Sequence, residues 1–241
     1  MLEDIRKNYR GKVRINGNEY SFCTASEKDI DQIDAMYRSI AVNYNNFDQK
    51  LDPECAVNFS ETGGMFVVLS RDEIRREIAG EENLWAVIKD NYDNVLGSFW
   101  FSEKNGYFNG SEYEWLENVI FPREIVVSKT FNNKYIGRLL YYTVIYSMEQ
   151  GGYTQGICDI YKVVKYKAGD MEKEVSLVNK PSRRLLESIG AEYKGTDKIR
   201  KITLDRLTVW IEPQIYYLNS KYIIERCNKF FSEKNIEIVW R

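Results

Sequence analysis

The stretch of this chain best suited to chemistry lies between residues 125 and 140, where a β-branched run precedes a polar turn and an apolar-periodic segment. Residues 125–127 predict a strand, and apolar residues at three- and four-residue steps from Ile136 onward predict a helix with one buried face. A helix N-terminus after a tight turn offers unpaired backbone N–H groups and partial positive charge, which together bind anions. Lys134 and Arg138 add full positive charges there, which are unfavourable without an anionic partner. The stretch predicts an anion-binding turn, with a plain strand–helix unit of any α/β protein as the alternative.

Two features of the composition limit the catalytic chemistry. The chain has no histidine, which excludes imidazole bases, Ser-His-Asp and Cys-His nucleophiles and HExxH zinc sites. The four cysteines form no CxxC pair, so we expect no zinc cluster and predict reduced, mostly buried thiols. Any proton transfer must then use a carboxylate, a tyrosine, a cysteine or water.

Two sequence runs resemble motifs of the GCN5-related N-acetyltransferases (GNAT). In that family a strand is followed by Arg/Gln-x-x-Gly-x-Gly/Ala, whose amides hold the coenzyme A pyrophosphate. The matching positions here are Asn132, Asn133, Lys134, Tyr135, Ile136 and Gly137, followed by Arg138. The second glycine is kept as Gly137, while Tyr135 replaces the first glycine and Asn132 the leading Arg/Gln. The run NKPSRRLLESIGA (179–191) is similar to the family's later helix, which lies beside the adenosine end and the thioester.

The resemblance implies a mixed α/β fold, with a mostly antiparallel central sheet flanked by helices, over about residues 19–212. We predict one domain, 1–241, with an N-terminal arm at 1–18 and a helix–strand extension at 213–241. The local patterns predict strands at 19–24, 84–89, 95–102, 153–164, 202–211 and 236–240. They predict helices after Ser26, over 70–79, in the central stretch, after Asn179 and over 216–232.

The resemblance also implies a reaction and a set of site residues. An acetyl or longer acyl group would pass from acyl-coenzyme A to an amine by direct attack, without a metal ion. Residues 132–138, Asn179 and Ser182 would hold the coenzyme, and a main-chain N–H near Val126 or Val127 would stabilise the oxyanion.

Glu124 is the candidate general base of this reaction. Strand alternation places it on the face of Val126, near the expected cleft, where desolvation would raise its pKa. An ordinary carboxylate paired with Arg123 or a lysine is the alternative. Glu117 and Asp159 are weaker candidates for the base.

The general acid is where this sequence departs from the family pattern. Many members place a tyrosine seven residues after the helix-starting asparagine, and counting from Asn179 gives Leu186, which cannot donate a proton. Tyr161 is a weak candidate, with Tyr193, water or an unassisted thiolate as alternatives. Cys158 could act as a nucleophile, but without a histidine to activate it a buried structural thiol is the preferred interpretation.

Composition and hydropathy also bound the partners. A formal net charge of −2 does not favour nucleic-acid or anionic-membrane binding. No apolar run approaches the roughly 18 residues that span a bilayer, and the N-terminus lacks a signal-peptide core, so we expect a cytoplasmic protein. The acceptor would be a small-molecule or peptide amine. The sequence leaves three alternatives open. The chain could form a homodimer through residues 216–231, and the donor could be an acyl carrier protein. The protein could also be a non-catalytic GNAT-fold module that senses a ligand or binds a protein.

Overall fold

The computed structural model describes residues 2–42, 55–104, 107–109, 112–114, 119–128 and 135–241. The predicted site residues Asn132, Asn133, Lys134 and Glu117 lie outside these ranges. In the described part, the helices are α1 (Leu2–Asn8), α2 (Ile30–Ile40), α3 (Cys55–Thr62), α4 (Arg71–Ala79), α5 (Ile136–Gln150), α6 (Lys180–Ile189) and α7 (Ser220–Glu233). None of them is long and apolar enough to cross a lipid bilayer.

A large mixed sheet forms the centre of the molecule. Its strands are β1 (Arg10–Ile15), β2 (Asn18–Thr24), β3 (Asn83–Lys89), β4 (Val95–Lys104), β7 (Val119–Val127), β8 (Gln155–Ala168), β9 (Met171–Val178), β10 (Glu192–Thr196), β11 (Arg200–Leu204), β12 (Leu207–Asn219) and β13 (Ile236–Trp240), and a separate small hairpin contains β5 (Tyr107–Asn109) and β6 (Glu112–Glu114). The order is β10-β12-β8-β7-β4-β3-β2-β1-β13, with β11 on β12 and β9 on β8. Among the described strands of this sheet only β7 and β8 pair in parallel, which confirms the predicted mostly antiparallel sheet.

Helices cover both faces of the sheet because its central strands are apolar on both sides. In β3, Leu84, Ala86 and Ile88 face a core built with α1, α5, α6 and α7. Trp85 and Val87 face the opposite core, which contains α2 and α4. A strand buried on both faces reads as a continuous apolar run, as β3 does.

The central helix is buried nearly all round, whereas the sequence pattern predicted one buried face. One side of α5 packs on β3, β4 and β7, and its outer side is covered by α7. Phe231 of α7 meets Tyr142 of α5 edge-to-face, at 5.1 Å between ring centroids. Helix α5 ends at Gln150, before Gly151.

Several predicted boundaries were wrong for identifiable reasons. The strand predicted at 125–127 is β7, which begins earlier, at Val119. It includes Pro122 because the proline lies beside a bulge where the ladder is irregular. The strand predicted at 202–211 is a hairpin of β11 and β12 that turns at Asp205, whose φ is +21°. Residues 216–219 end β12, so α7 starts at Ser220. The arm 1–18 contains α1 and β1, and β1 joins the main sheet.

Candidate active site

A cleft opens where β7 and β8 separate. The two strands pair only at Val119 with Gln155 and at Ile120 with Gly156. The free edge of β8 is paired again, by β9, from Lys162 onward. Between these pairings β8 borders a cavity of about 320 Å³, which is also lined by β7, the start of α6 and residues 62–67.

The cavity brings together most of the predicted site residues that the structure describes. Its lining includes Glu124, Val126, Val127, Asp159, Tyr161, Asn179, Ser182 and Leu186. Tyr193 is not among the lining residues; it lies on β10, exposed and packed on Tyr216. In the part of the chain that the structure describes, no cluster of three or more acidic or cysteine side chains could hold a metal ion.

A β-bulge shapes the wall that carries the candidate base. Glu124 pairs with Trp100 of β4, but the next pair joins Pro122 to Phe101, so Arg123 has no cross-strand partner. A bulge interrupts the alternation of side chains and re-aims them. The cavity is lined by all residues from 122 to 127 of β7. The Arg123 guanidinium carbon lies 5.9 Å from the ring centroid of Trp100, the residue paired with Glu124, so Arg123 and Glu124 share one face of β7.

Glu124 lies half-buried in the wall of the cleft. Burial raises the pKa of its carboxyl group to about 7, and Tyr37 of α2 and Arg123 limit the rise. Val126 packs in the same core as Tyr37. In the described part of the chain Glu124 forms no ion pair within 4.0 Å, so the alternative of an ordinary paired carboxylate is not what the structure shows.

Three buried polar atoms beside Glu124 lack hydrogen bonds of normal geometry within the described residues. They are Glu124 Oε2, the Tyr37 hydroxyl oxygen and Trp100 Nε1. Trp100 stacks on Trp85 at 5.3 Å, and Trp85 lies 5.9 Å from Tyr37. Buried polar atoms are normally paired in folded proteins, so these three atoms call for an explanation. Sequence analysis missed Tyr37 and Trp100, because each comes to Glu124 from a distant part of the chain.

The candidate acids differ clearly in their surroundings. Burial, with a contribution from Asp159, raises the pKa of Tyr161 to about 12, so its hydroxyl is protonated at neutral pH. Leu186 is 2% exposed and lines the cavity, so an apolar group occupies the family's tyrosine position. Burial also raises the pKa of Cys158, which agrees with a structural thiol rather than an activated nucleophile.

Asp159 forms an ion pair with one arginine and experiences the charge of a second. It lies 3.6 Å from Arg200 of β11, and Arg200 also contacts Asp197 at 2.8 Å. Burial raises the pKa of Asp159, while Arg200 and then Arg123 oppose that effect. Because Asp159 already has an ionic partner, it is less suited than Glu124 to act as the base.

The start of α6 forms another wall of the cleft, as its sequence predicted. Asn179 caps the helix, its Oδ1 accepting a hydrogen bond of 3.1 Å from the Ser182 N–H. The Asn179 N–H donates to the Tyr161 carbonyl of β8 at 3.1 Å, which ties the helix to the strand edge. Gly190 ends α6 at φ +92°, a left-handed conformation that favours glycine.

The N-terminus of α5 lies beside the same cleft. A Cβ on Gly137 would approach Leu185 to 3.0 Å and Val127 to 3.8 Å, and both of these residues line the cavity. Arg138 does not line it: its guanidinium lies 3.6 Å from the ring centroid of Phe230 in α7, and burial lowers its pKa. The structure thus gives Arg138 an aromatic partner, where the sequence suggested a cation awaiting an anion.

Comparisons with known proteins agree on the fold. An N-acetyltransferase from Staphylococcus aureus Mu50 is 17% identical, with a TM-score of 0.52, over 83% of this chain and 98% of that one. The ribosomal-protein-S18-alanine N-acetyltransferase from Escherichia coli is 12% identical, with a TM-score of 0.51, over 83% and 93%. A GNAT superfamily phosphinothricin acetyltransferase from Sinorhizobium meliloti, solved in complex with AcCoA, is 16% identical, with a TM-score of 0.50, over 83% and 88%.

The sequence itself is far from known families. No protein-family model matches it, and a search of curated proteins finds no significant match. The structural likenesses nevertheless show that the chain has the fold of the GCN5-related N-acetyltransferases.

Proposed function

We propose that this protein is an N-acyltransferase that moves an acetyl or longer acyl group from coenzyme A to an amine. The observation that carries the proposal is Glu124, a carboxyl group with a pKa of about 7 on the wall of a cleft between diverging strands. A base is most effective when its pKa lies near the working pH. The AcCoA complex of the Sinorhizobium meliloti neighbour supports a coenzyme A thioester as the donor.

In the proposed complex the donor lies between β7 and the start of α6. The main-chain N–H groups near Val126 and Val127 stabilise the oxyanion, and Asn179 and Ser182 contact the pantetheine side. The amides of residues 132–138 hold the pyrophosphate, with Gly137 allowing the close approach of α5 to Leu185. The remaining side of the cleft, near Glu124, receives the amine.

The reaction proceeds by direct attack. Glu124 removes a proton from the acceptor ammonium, and the neutral nitrogen attacks the thioester carbonyl. The tetrahedral intermediate expels the coenzyme A thiolate and loses the second nitrogen proton to solvent, which leaves the neutral amide, and the thiolate is protonated in turn. Tyr161 is protonated and lines the cavity, so it is the candidate donor to the thiolate among the described residues. If Tyr161 does not serve, the thiolate leaves with a proton from water.

Calorimetric titration with acetyl-coenzyme A and with free coenzyme A tests the donor. We expect micromolar binding of both, and absence of binding to either would contradict the proposal. Repeating the titration and turnover with longer acyl chains, and with an acyl carrier protein as donor, determines which thioester the cleft prefers.

Turnover of an amine panel, followed by release of the coenzyme A thiol, tests the base. We expect kcat/KM to rise about tenfold per pH unit below pH 7 and to level off above it, because the carboxylate form of Glu124 accepts the proton. Glu124→Gln should lower kcat by about 10²–10⁴-fold and remove this pH dependence, whereas Glu237→Gln on the distant β13 should change neither.

Leu186 in the family's tyrosine position favours a second candidate, a GNAT-fold module that binds a coenzyme A ester without turning it over. Binding of acetyl-coenzyme A that Glu124→Gln leaves intact, together with no turnover of any amine, would support this module and exclude the enzyme.

A further inference from the structure

The bulge in β7 places a cation and a carboxylate side by side on the acceptor side of the cleft. Arg123 and Glu124 are consecutive, and in a regular strand they would point to opposite faces. Arg123 has no partner between Trp100 and Phe101, and its guanidinium carbon lies 5.9 Å from the ring centroid of Trp100, which pairs with Glu124, so the alternation is broken and both side chains lie on one face. A ligand that contacts both side chains must therefore carry its negative group and its positive group close together.

The Arg123 side chain is held in place without using its terminal nitrogens. Its Nε donates a hydrogen bond of 3.0 Å to the Ser102 hydroxyl, and its guanidinium carbon lies 4.9 Å from the ring centroid of Phe121. In the ranges that the structure describes, no carboxylate lies within 4.0 Å of this guanidinium. The two Nη atoms thus remain as a fork, and a guanidinium fork matches the two oxygens of a carboxylate.

The surrounding charges indicate what Arg123 would bind. Glu124 and Asp159 line the same cavity, so a phosphate or another multiply charged anion would meet repulsion from both. A zwitterion with one ammonium and one carboxylate satisfies Glu124 and Arg123 together. The cavity of about 320 Å³ must also admit the thioester, which favours a small acceptor.

We propose that the acceptor carries a carboxylate next to its amine, as an α-amino acid does, and that Arg123 binds this carboxylate while the amine lies against Glu124. The inference rests on the proposed acyl transfer at this site. Arg123 is then a specificity-determining residue, since it selects among amines without touching the atoms that react.

Matched acceptors test this assignment. Methionine, phenylalanine and lysine would each be compared with the corresponding α-amide and decarboxylated amine, using acetyl-coenzyme A and thiol release. We expect kcat/KM for the amino acid to exceed that for its amide by about tenfold or more, because the amide cannot form the charged hydrogen bonds to Arg123.

Variants of Arg123 then separate recognition from catalysis. Arg123→Gln should lower kcat/KM for the amino acids about 10- to 100-fold, chiefly through KM, and change that for the amides less than about threefold. Arg123→Lys keeps the charge without the guanidinium fork, so its kcat/KM for the amino acids should lie between those of the parent and of Arg123→Gln. Lys201→Gln on β11, outside the cavity, is the control for loss of a surface cation, and thermal melting verifies that each variant is folded.

Other outcomes would overturn the inference. If the amides or the decarboxylated amines reacted as well as the amino acids, the site would not recognise a carboxylate on the acceptor. If Arg123→Gln lowered kcat/KM equally for the amino acids and their amides and displaced the pH profile, Arg123 would only adjust the ionisation of Glu124. Acetyl-coenzyme A binding with turnover only of amines lacking a carboxylate would leave the acyltransferase proposal standing, whereas no acetyl-coenzyme A binding at all would remove both.

Discussion

Glu124 illustrates how one residue can serve catalysis at the expense of stability. Its pKa is raised from 4.5 to about 7 because burial penalises the charged carboxylate. The folded state therefore holds the proton more tightly than the unfolded chain between these two values. The contribution of Glu124 to stability is fully present below about pH 4.5 and is lost as the pH rises through about 7.

The first prediction is that Glu124→Gln stabilises the protein at high pH. At pH 8 the free energy of unfolding should increase by about 1–3 kcal/mol, because the variant carries no buried charge. At pH 4 the parent and the variant should be nearly equal. Urea unfolding at both pH values measures the difference.

Glu19→Gln is the matched control with the opposite sign. A hydrogen bond from Lys12 lowers the pKa of Glu19, so its removal should not stabilise the protein at pH 8. A decrease in stability of Glu124→Gln at pH 8 would contradict the assigned cause of the pKa shift.

At the scale of elements, the position of α5 depends on the absence of a side chain on β4. A Cβ on Gly97 would lie 2.7 Å from Ile136 Cγ2 and 3.0 Å from Leu140 Cδ1. Glycine therefore lets α5 pack closely on the sheet, and this contact places the helix N-terminus beside Val127. The approach of helix to strand thus affects both stability and the proposed pyrophosphate site.

The second prediction is that Gly97→Ala destabilises the protein by about 1–3 kcal/mol through overpacking and weakens acetyl-coenzyme A binding. Thermal unfolding and calorimetry measure the two effects. Adding Ile136→Val should restore part of both, because it removes a methyl group at the contact. Gly80→Ala is the control, since the nearest atom there ends the flexible side chain of Asn83; similar losses in the two alanine variants would argue against a specific contact.

At the scale of the whole molecule, the C-terminal segment is joined to the acyltransferase-like core. Strand β13 pairs with residues Gly11–Ile15 of β1. Helix α7 buries Ile223, Cys227 and Phe231 in the core that it shares with α5. Residues that extend the family's minimal fold are therefore structural parts of this protein. They also supply Phe230, on which Arg138 stacks.

The third prediction is that a chain ending at Asn219 does not fold. Removing residues 220–241 would expose the outer face of α5 and the edge of β1, so we expect insoluble protein or loss of cooperative thermal unfolding. Removing only residues 236–241 should be milder, because α7 would still cover α5. A stable, acetyl-coenzyme A-binding 1–219 fragment would show that the extension is dispensable.

The sequence by itself determined the features that depend on near neighbours. The helix start at Asn179 and the capping box at Ser26 were both readable, since each involves contacts within a few residues. The order of two motifs was enough to predict the fold class that the solved structures confirm. Glu124 was identifiable as a candidate because alternation within one strand places it with Val126.

Only the tertiary structure decided what surrounds that residue. The bulge at Arg123 arises from the pairing of β7 with β4, and Tyr37 and Trp100 reach Glu124 from separate elements. The full burial of α5 likewise required α7, which lies far along the chain. Periodicity and capping act over a few residues, whereas desolvation depends on every element packed around a group. The pKa of the candidate base and the cation beside it are therefore properties of the folded molecule.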